Sequence, residues 1–292
     1  MGKLSVVISA YNEEEVIETC LQSVSWADEI VLIDNTSSDS TASIAKKFKA
    51  KVFKRPNNPM LNVNKNYGFT KATGDWILNL DADESVDREL QDEIQNILVS
   101  ENSPYVGYKI PRKNMLFGKW IRHAGWYPDH QTRLFKRGTG AFAEKHVHEH
   151  IVVTGDVGIL TGHIVHHSFR TVSQFIKKHD LYSSNEAENL LKDGYQFNGY
   201  DSIRFPRREF MSRYFAREGY KDGLHGLALS LLMAFYHLLI FLKLWEKNHY
   251  QETALKSTLL EKEFAEAHHE MSHWFFEVSE NKSFMKRVLL KL

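Results

Sequence analysis

Short apolar runs that end in polar residues alternate with amphipathic stretches through the first hundred residues. Residues 4–10 are apolar and β-branched, the pattern of a strand buried on both faces. Next, Asn12 is placed to cap a helix with Glu15 at the capping-box position, and Val16, Ile17, Cys20, Leu21 and Val24 recur at helical spacing. A second buried strand, 29–34, closes on Asp34, and the polar turn 35–40 precedes a short helix marked by Ile44, Ala45 and Phe48. A third strand, 51–54, is stopped by Pro56 and Pro59. A helix over roughly 63–72 then leads into an apolar strand that breaks off in Asp81, Asp83 and Glu84.

Strand and helix alternating in this way predict an α/β fold, with a parallel sheet, right-handed crossovers and ligands beyond the carboxyl ends of the strands. Those ends carry Ala10, Tyr11, Asn12 and Glu13, then Asp34, then Asp81 and Asp83. Three acids in four positions repel one another unless a cation joins them. A hard divalent ion, Mg2+ or Mn2+, carrying a phosphorylated ligand is the simplest such cation. The competing reading is a solvated acidic turn, with Glu84 and Asp87 near the N-terminus of the following helix. Neither glycine-rich phosphate-loop pattern occurs, so metal and side chains, rather than backbone amides, would hold phosphate.

The pattern changes after residue 100. Segments 104–111 and 131–136 read as strands, and Phe117, Trp120, His123, Trp126 and Tyr127 lie between them, able to stack on a sugar or to fill a core. His146, His148, His150, His163, His166 and His167 crowd together, but they lack a cysteine partner or a helical pair spacing, which excludes a zinc centre. From Thr171 the pattern is helical. Arg204, Arg207, Arg208, Arg213, Arg217 and Lys221 form a basic approach to 223–245, the most apolar stretch in the chain. Its length is near the ~20 residues of a membrane span, while His225, His237 and Lys243 interrupt it. A helix on or re-entering the membrane, a buried or oligomer-forming helix and a full span all stay open. Residues 250–292 have the alternating charge of a solvated helix.

Composition narrows the classes. With 292 residues, 42% hydrophobic and 25% charged, the chain is globular. Its 37 basic and 37 acidic residues cancel, so no global charge recruits nucleic acid. The lone Cys20 excludes an internal disulfide framework. Met1-Gly2-Lys3 leads straight into a strand without an apolar leader, which predicts a cytoplasmic chain.

Four ordered motifs resemble the family-2 glycosyltransferases of GT-A fold: the first strand running into Ser9-Ala10-Tyr11-Asn12-Glu13-Glu14, Asp34 with Ser37, Asp39 and Thr41, Asn66 with Gly68, Ala72, Gly74 and Asp75, and Asp81-Ala82-Asp83-Glu84. Further on, Trp126-Tyr127-Pro128-Asp129 with Arg133-Leu134-Phe135, then Val147-His148-Glu149 and His166-His167-Ser168-Phe169, is similar to the bacterial lipopolysaccharide-core β-glucosyltransferase branch. The resemblance implies a catalytic domain over 1–168, with a nucleotide-sugar half (1–100) and an acceptor half (101–168), and a helical extension over 169–292. It implies that Ala10, Tyr11, Asn12 and Glu13 line the base and ribose site, that Asp34 accepts from the base, commonly uracil, and that Lys65 neutralises phosphate. Asp81 would face ribose or metal, Asp83 would ligate Mg2+ or Mn2+, and His166 would complete the metal shell. Glu149 is the first choice for the base of an inverting transfer, with Asp129 the alternative; Glu149 could instead pair with Arg133.

The implied activity is transfer of a hexose from a nucleotide diphosphate sugar, UDP-linked, to a lipopolysaccharide or other surface-glycan acceptor at the cytoplasmic face of the inner membrane, by a peripheral protein able to form homo-oligomers. Two other functions compete. A sugar-phosphate nucleotidyltransferase would want a glycine-rich, arginine-containing loop where Tyr11-Asn12-Glu13-Glu14-Glu15 stands. A catalytically silent scaffold would use 204–245 to bind membrane or partner.

Overall fold

Strand-forming runs that are apolar on both faces lie at the centre of the sheet. The computed structural model describes residues 2–58, 60–100, 103–144 and 149–279. β1 (Leu4–Ala10) and β2 (Glu29–Asp34) are buried along their length and flank α1 (Ile17–Ser23) in sequence. α2 (Thr41–Lys47), β3 (Lys51–Lys54), α3 (Leu61–Lys71) and β4 (Trp76–Asp81) follow. β1 pairs in parallel with both β2 and β4, which sets Ala10 opposite Asp34 and Ser9 opposite Asp81. The register therefore brings the predicted strand-end residues to one edge.

β5 (Glu84–Val86), α4 (Arg88–Val99), β6 (Gly107–Leu116), β7 (Lys119–Trp120), β8 (Asp129–Lys136), β9 (Gly140–Ala141), β10 (Val152–Val153), β11 (Val157–Ile159) and β12 (Ile164–Phe169) complete the strands among the described residues. The main order is β3-β2-β1-β4-β8-β6-β12-β5. Strands β3, β2, β1 and β4 run parallel, whereas β8 is antiparallel to β4 and β6, and β12 to β5. Alternation along the strands feeds two cores. Leu4, Val6, Ile8, Leu78 and Leu80 pack with Ile17 and Leu21 of α1 and Leu90 and Ile94 of α4. Val7, Val31, Ile33, Ile77 and Phe135 pack with Phe69 on α3. A Cβ on Gly68 would lie 2.5 Å from Val7 Cγ1, so only glycine lets α3 lie flush on β1.

Two local expectations fail. α1 begins only at Ile17, preceded by Val16 with no side-chain cap, and the predicted capping box does not form. Asn12 instead adopts φ 55° and its side-chain Oδ1 accepts from the Ser38 amide at 2.8 Å. Glu84 is no solvated helix-start acid: it is 1% exposed on β5, and Asp87 alone caps α4, accepting from the Leu90 amide.

The chain forms two compact units, Met1–Leu116 with Tyr127–Ser168, and Phe117–Trp126 with Phe169–Leu292. In the second, α5 (Val172–Lys192) starts on a true capping box of Thr171 and Gln174. α6 (Asp201–Phe210), a π-helical turn (Met211–Ala216), a 3-10 turn (Gly219–Asp222), α7 (Leu224–Lys247) and α8 (Ser257–Val278) follow. Phe117, Trp120, His123 and Trp126 belong to this helical unit. Asp222 holds their segment by accepting from the His123 amide at 2.8 Å, and Arg213 by donating to the Ala124 carbonyl at 2.9 Å. Tyr127, by contrast, stays with the sheet and bonds His163 Nε2 through its hydroxyl at 3.0 Å.

Candidate active site

The loops after β1 and β2 build the first wall. Ser37 fastens Asn12 by accepting from its amide at 3.0 Å, and Thr41 holds the Glu13 amide at 2.8 Å. Tyr11, just before them, is 45% exposed. Asp34 is fully buried; its Oδ1 accepts from the Ser37 amide at 3.0 Å, whereas its Oδ2 meets no hydrogen-bond donor among the described residues. A buried carboxylate oxygen left open in this way calls for a donor from a ligand. Beneath it runs an amide network that sequence reading missed: Asn35 donates to Ser9 Oγ at 3.0 Å and accepts from Asn64 at 2.6 Å.

An alternating ladder of acids and bases forms the second wall. Lys65 Nζ on α3 lies 2.5 Å from Asp81 Oδ1, and Arg133 Nη2 on β8 lies 3.0 Å from Asp81 Oδ2. The same Arg133 nitrogen reaches Glu84 Oε1 at 2.9 Å, Arg112 bridges Glu84 at 3.1 Å, and Arg112 also pairs with Asp129 at 2.5 Å. Burial would raise the Asp81 pKa, but Lys65 and Arg133 outweigh it and hold the carboxyl well below its usual range. Both Asp81 oxygens thus face cations, Lys65 on one side and Arg133 on the other.

Asp83 differs. Its Oδ2 stands 3.5 Å from His166 Nε2, and the two come together because β12 pairs with β5, His166 opposite Glu84. A carboxylate and an imidazole at this spacing suit a hard divalent ion that keeps its other positions for phosphate oxygens and water. A second group, Asp87, Glu89 and His163, also clusters within 4.8 Å. There Lys113 already supplies the cation, donating to Asp87 Oδ2 at 2.9 Å.

The two candidate bases have different surroundings. Asp129 accepts from Arg112, Asn114 and Gln131. Burial pushes its pKa up, but Arg112 and these donors push it further down, so the carboxylate is a weak proton acceptor. Glu149 does not pair with Arg133. It is half-buried beside α3, accepting from the Glu144 amide at 2.8 Å and from Asn62 at 3.4 Å. His146, Val147 and His148 lie outside the described residues.

The family described as Glycosyl transferase family 2 matches residues 5–154. An uncharacterized glycosyltransferase of Rickettsia typhi is 32% identical, over 84% of this chain and 88% of its own length. A lipopolysaccharide core biosynthesis glycosyltransferase of Rhizobium meliloti is 28% identical, over 84% of this chain and 93% of its own. Among solved structures, S. aureus TarS 1–349 in complex with UDP aligns with a TM-score of 0.43 at 14% identity, covering 87% of this chain and 94% of TarS 1–349. The chain belongs to glycosyltransferase family 2.

Proposed function

We propose that this glycosyltransferase moves a hexose, with inversion, from a UDP-linked donor to a lipopolysaccharide or related surface-glycan acceptor at the cytoplasmic face of the membrane. The observation that carries the reading is the Asp83–His166 pair, 3.5 Å apart, on the strand edge where Asp34 keeps an open buried oxygen. The name of the Rhizobium meliloti relative supports the acceptor class.

In this reading Asp34 Oδ2 accepts from the uracil N–H, and Tyr11, Asn12 and Glu13 border the base and ribose. Lys65 and Arg133 supply positive charge beside the diphosphate, already ordered by Asp81. Asp83 and His166 hold Mg2+ or Mn2+, which when bound supplies Lewis-acid stabilisation of the leaving diphosphate. Glu149 takes the proton of the acceptor hydroxyl. The freed oxygen forms its bond to the anomeric carbon from the face opposite the diphosphate, and the breaking bond leaves its electron pair on the phosphate oxygen.

The test is calorimetric titration of UDP, GDP and dTDP, each with Mn2+ and with EDTA, into wild type and Asp83→Ala. Expected is Mn2+-dependent binding of UDP alone, lost in Asp83→Ala with the melting temperature unchanged. Equal binding in EDTA would overturn the metal assignment, and no nucleotide binding at all would overturn the donor assignment.

A further inference from the structure

β6 and β8 run antiparallel with Arg112 opposite Asp129, and the two-residue period of each strand brings Asn114 and Gln131 to the same face. Asp129 Oδ2 accepts from Arg112 Nε at 2.9 Å and from Asn114 Nδ2 at 3.3 Å, and Oδ1 accepts from Gln131 Nε2 at 2.7 Å. A carboxylate only accepts, so both amides must turn their NH2 groups to Asp129 and their carbonyls away. The Asn114 carbonyl then meets His166 Nδ1 at 2.8 Å, and the Gln131 carbonyl meets His150 Nδ1 at 2.8 Å. A carbonyl also only accepts, so each imidazole must carry its proton on Nδ1. In the neutral ring the lone pair is then on Nε2, the opposite of the arrangement that predominates for the free side chain.

We propose that Asp129 is a positioning residue that sets the tautomer of two histidines through two amides, His166 by way of Asn114 and His150 by way of Gln131. The consequence for His166 rests on the metal reading above: with a proton held on Nδ1, Nε2, the nitrogen facing Asp83 Oδ2 at 3.5 Å, is the ring atom that would ligate a divalent cation. Asn114 is 3% exposed, so water does not compete for its amide. Arg112 fixes the hub in turn, since it grips Asp129 while its other end is held by buried Glu84. For His150 the same logic leaves a basic nitrogen on an exposed ring.

Protein labelled with 15N-histidine reports tautomers through its ring nitrogens. The spectra are taken without metal, about two pH units above the ordinary imidazole pKa, with the two rings assigned from His150→Gln and His166→Gln. Wild type should show both rings protonated on Nδ1. In Asp129→Asn the new carbonyl stays toward Arg112 and Asn114, and its NH2 faces Gln131, which must turn over. His150 should then switch to Nε2–H while His166 keeps Nδ1–H. Asn114→Leu should do the reverse, releasing His166 alone, and should weaken Mn2+ binding in the presence of UDP by about 10–100-fold. Wild-type rings protonated on Nε2, or an unaltered His150 in Asp129→Asn, would overturn the relay. Nδ1–H rings in a wild type that binds no Mn2+, with or without UDP, would uphold the relay and overturn the metal reading alone.

Discussion

Glu149 is held in place by a backbone donor and a weaker amide contact, the Glu144 N–H at 2.8 Å and Asn62 at 3.4 Å. Glutamine at this position keeps an oxygen for both but cannot take a proton. Glu149→Gln should therefore lower kcat by about 10²–10⁴-fold, the usual worth of a general base, with the Kd for UDP unchanged. A kcat within twofold of wild type would remove Glu149 from the chemistry. The roles of single residues were legible in sequence only where the chemistry is local. Asp83 stands at a strand end in a run of acids, a pattern that left a cation site and a solvated turn both open until the family resemblance favoured the first. The position of Arg133 against Asp81 and Glu84 joins residues 52 and 49 apart in the chain, and the Arg112–Asp129 pair spans 17. No pattern of neighbours reveals such pairings, so Asp129 read as a base although its lone pairs are taken.

At the scale of elements, β2 is anchored at one end and carries an open buried carboxylate oxygen at the other. Asp34 closes its carboxyl end, while Glu29 at its start accepts from Lys51 on β3 at 2.7 Å, from the Thr73 amide at 2.7 Å, and from Ser5 on β1. Burial raises the Glu29 pKa, but Lys51, Ser5 and Thr73 together bring it from 4.5 down to about 2. A carboxyl whose pKa falls on folding stabilises the native state above its unfolded pKa and loses that contribution as pH falls through the folded one. Glu29→Gln should cost up to about 3 kcal/mol at pH 7, at 1.36 kcal/mol per unit, and the deficit should shrink by roughly half at pH 3. Urea unfolding of both proteins across this window checks it; an equal deficit at both ends would assign the cost to packing instead. The strands themselves were readable because apolar runs of this length admit few other structures. Their antiparallel partners β8 and β12 were less so, since β8 mixes Asp129, Gln131 and Arg133 into the face that meets the site and β12 carries two histidines. The reading of 131–136 found β8 but for its first two residues, whereas the polar positions of β12 hid that strand.

On the scale of the whole molecule, α7 is the element whose surroundings the sequence left open. Its sequence is apolar on every side, which left a span, a surface helix and a buried helix all open. In the structure Gly226, Leu229, Ser230, Met233, Ala234, Ile240, Phe241 and Leu244 are buried within the helical unit. Leu224, Leu231, Phe235, Leu242 and Trp245 are exposed, at intervals of seven, four, seven and three residues that draw one stripe along the helix. Lys243, which seemed to interrupt the apolar run, pairs with Asp180, and Arg204, Arg207 and Arg213 of the basic approach pair with Glu263, Glu270 and Glu209. Arg208 and Arg217 stay exposed. A helix with one face committed to its own unit and the other presenting large apolar groups is suited to lie in a membrane interface rather than cross it. Each such side chain is worth about 1.5–3 kcal/mol when fully buried, so half-immersing three gives on the order of 100-fold in partitioning. Leu231→Ser, Phe235→Ser and Leu242→Ser together leave the buried face intact, and should lower binding to anionic phospholipid vesicles by that factor without altering the helical circular dichroism. If wild type ignores vesicles but sediments as a dimer that the triple variant dissociates, the stripe belongs to a second copy of the chain and the membrane assignment falls.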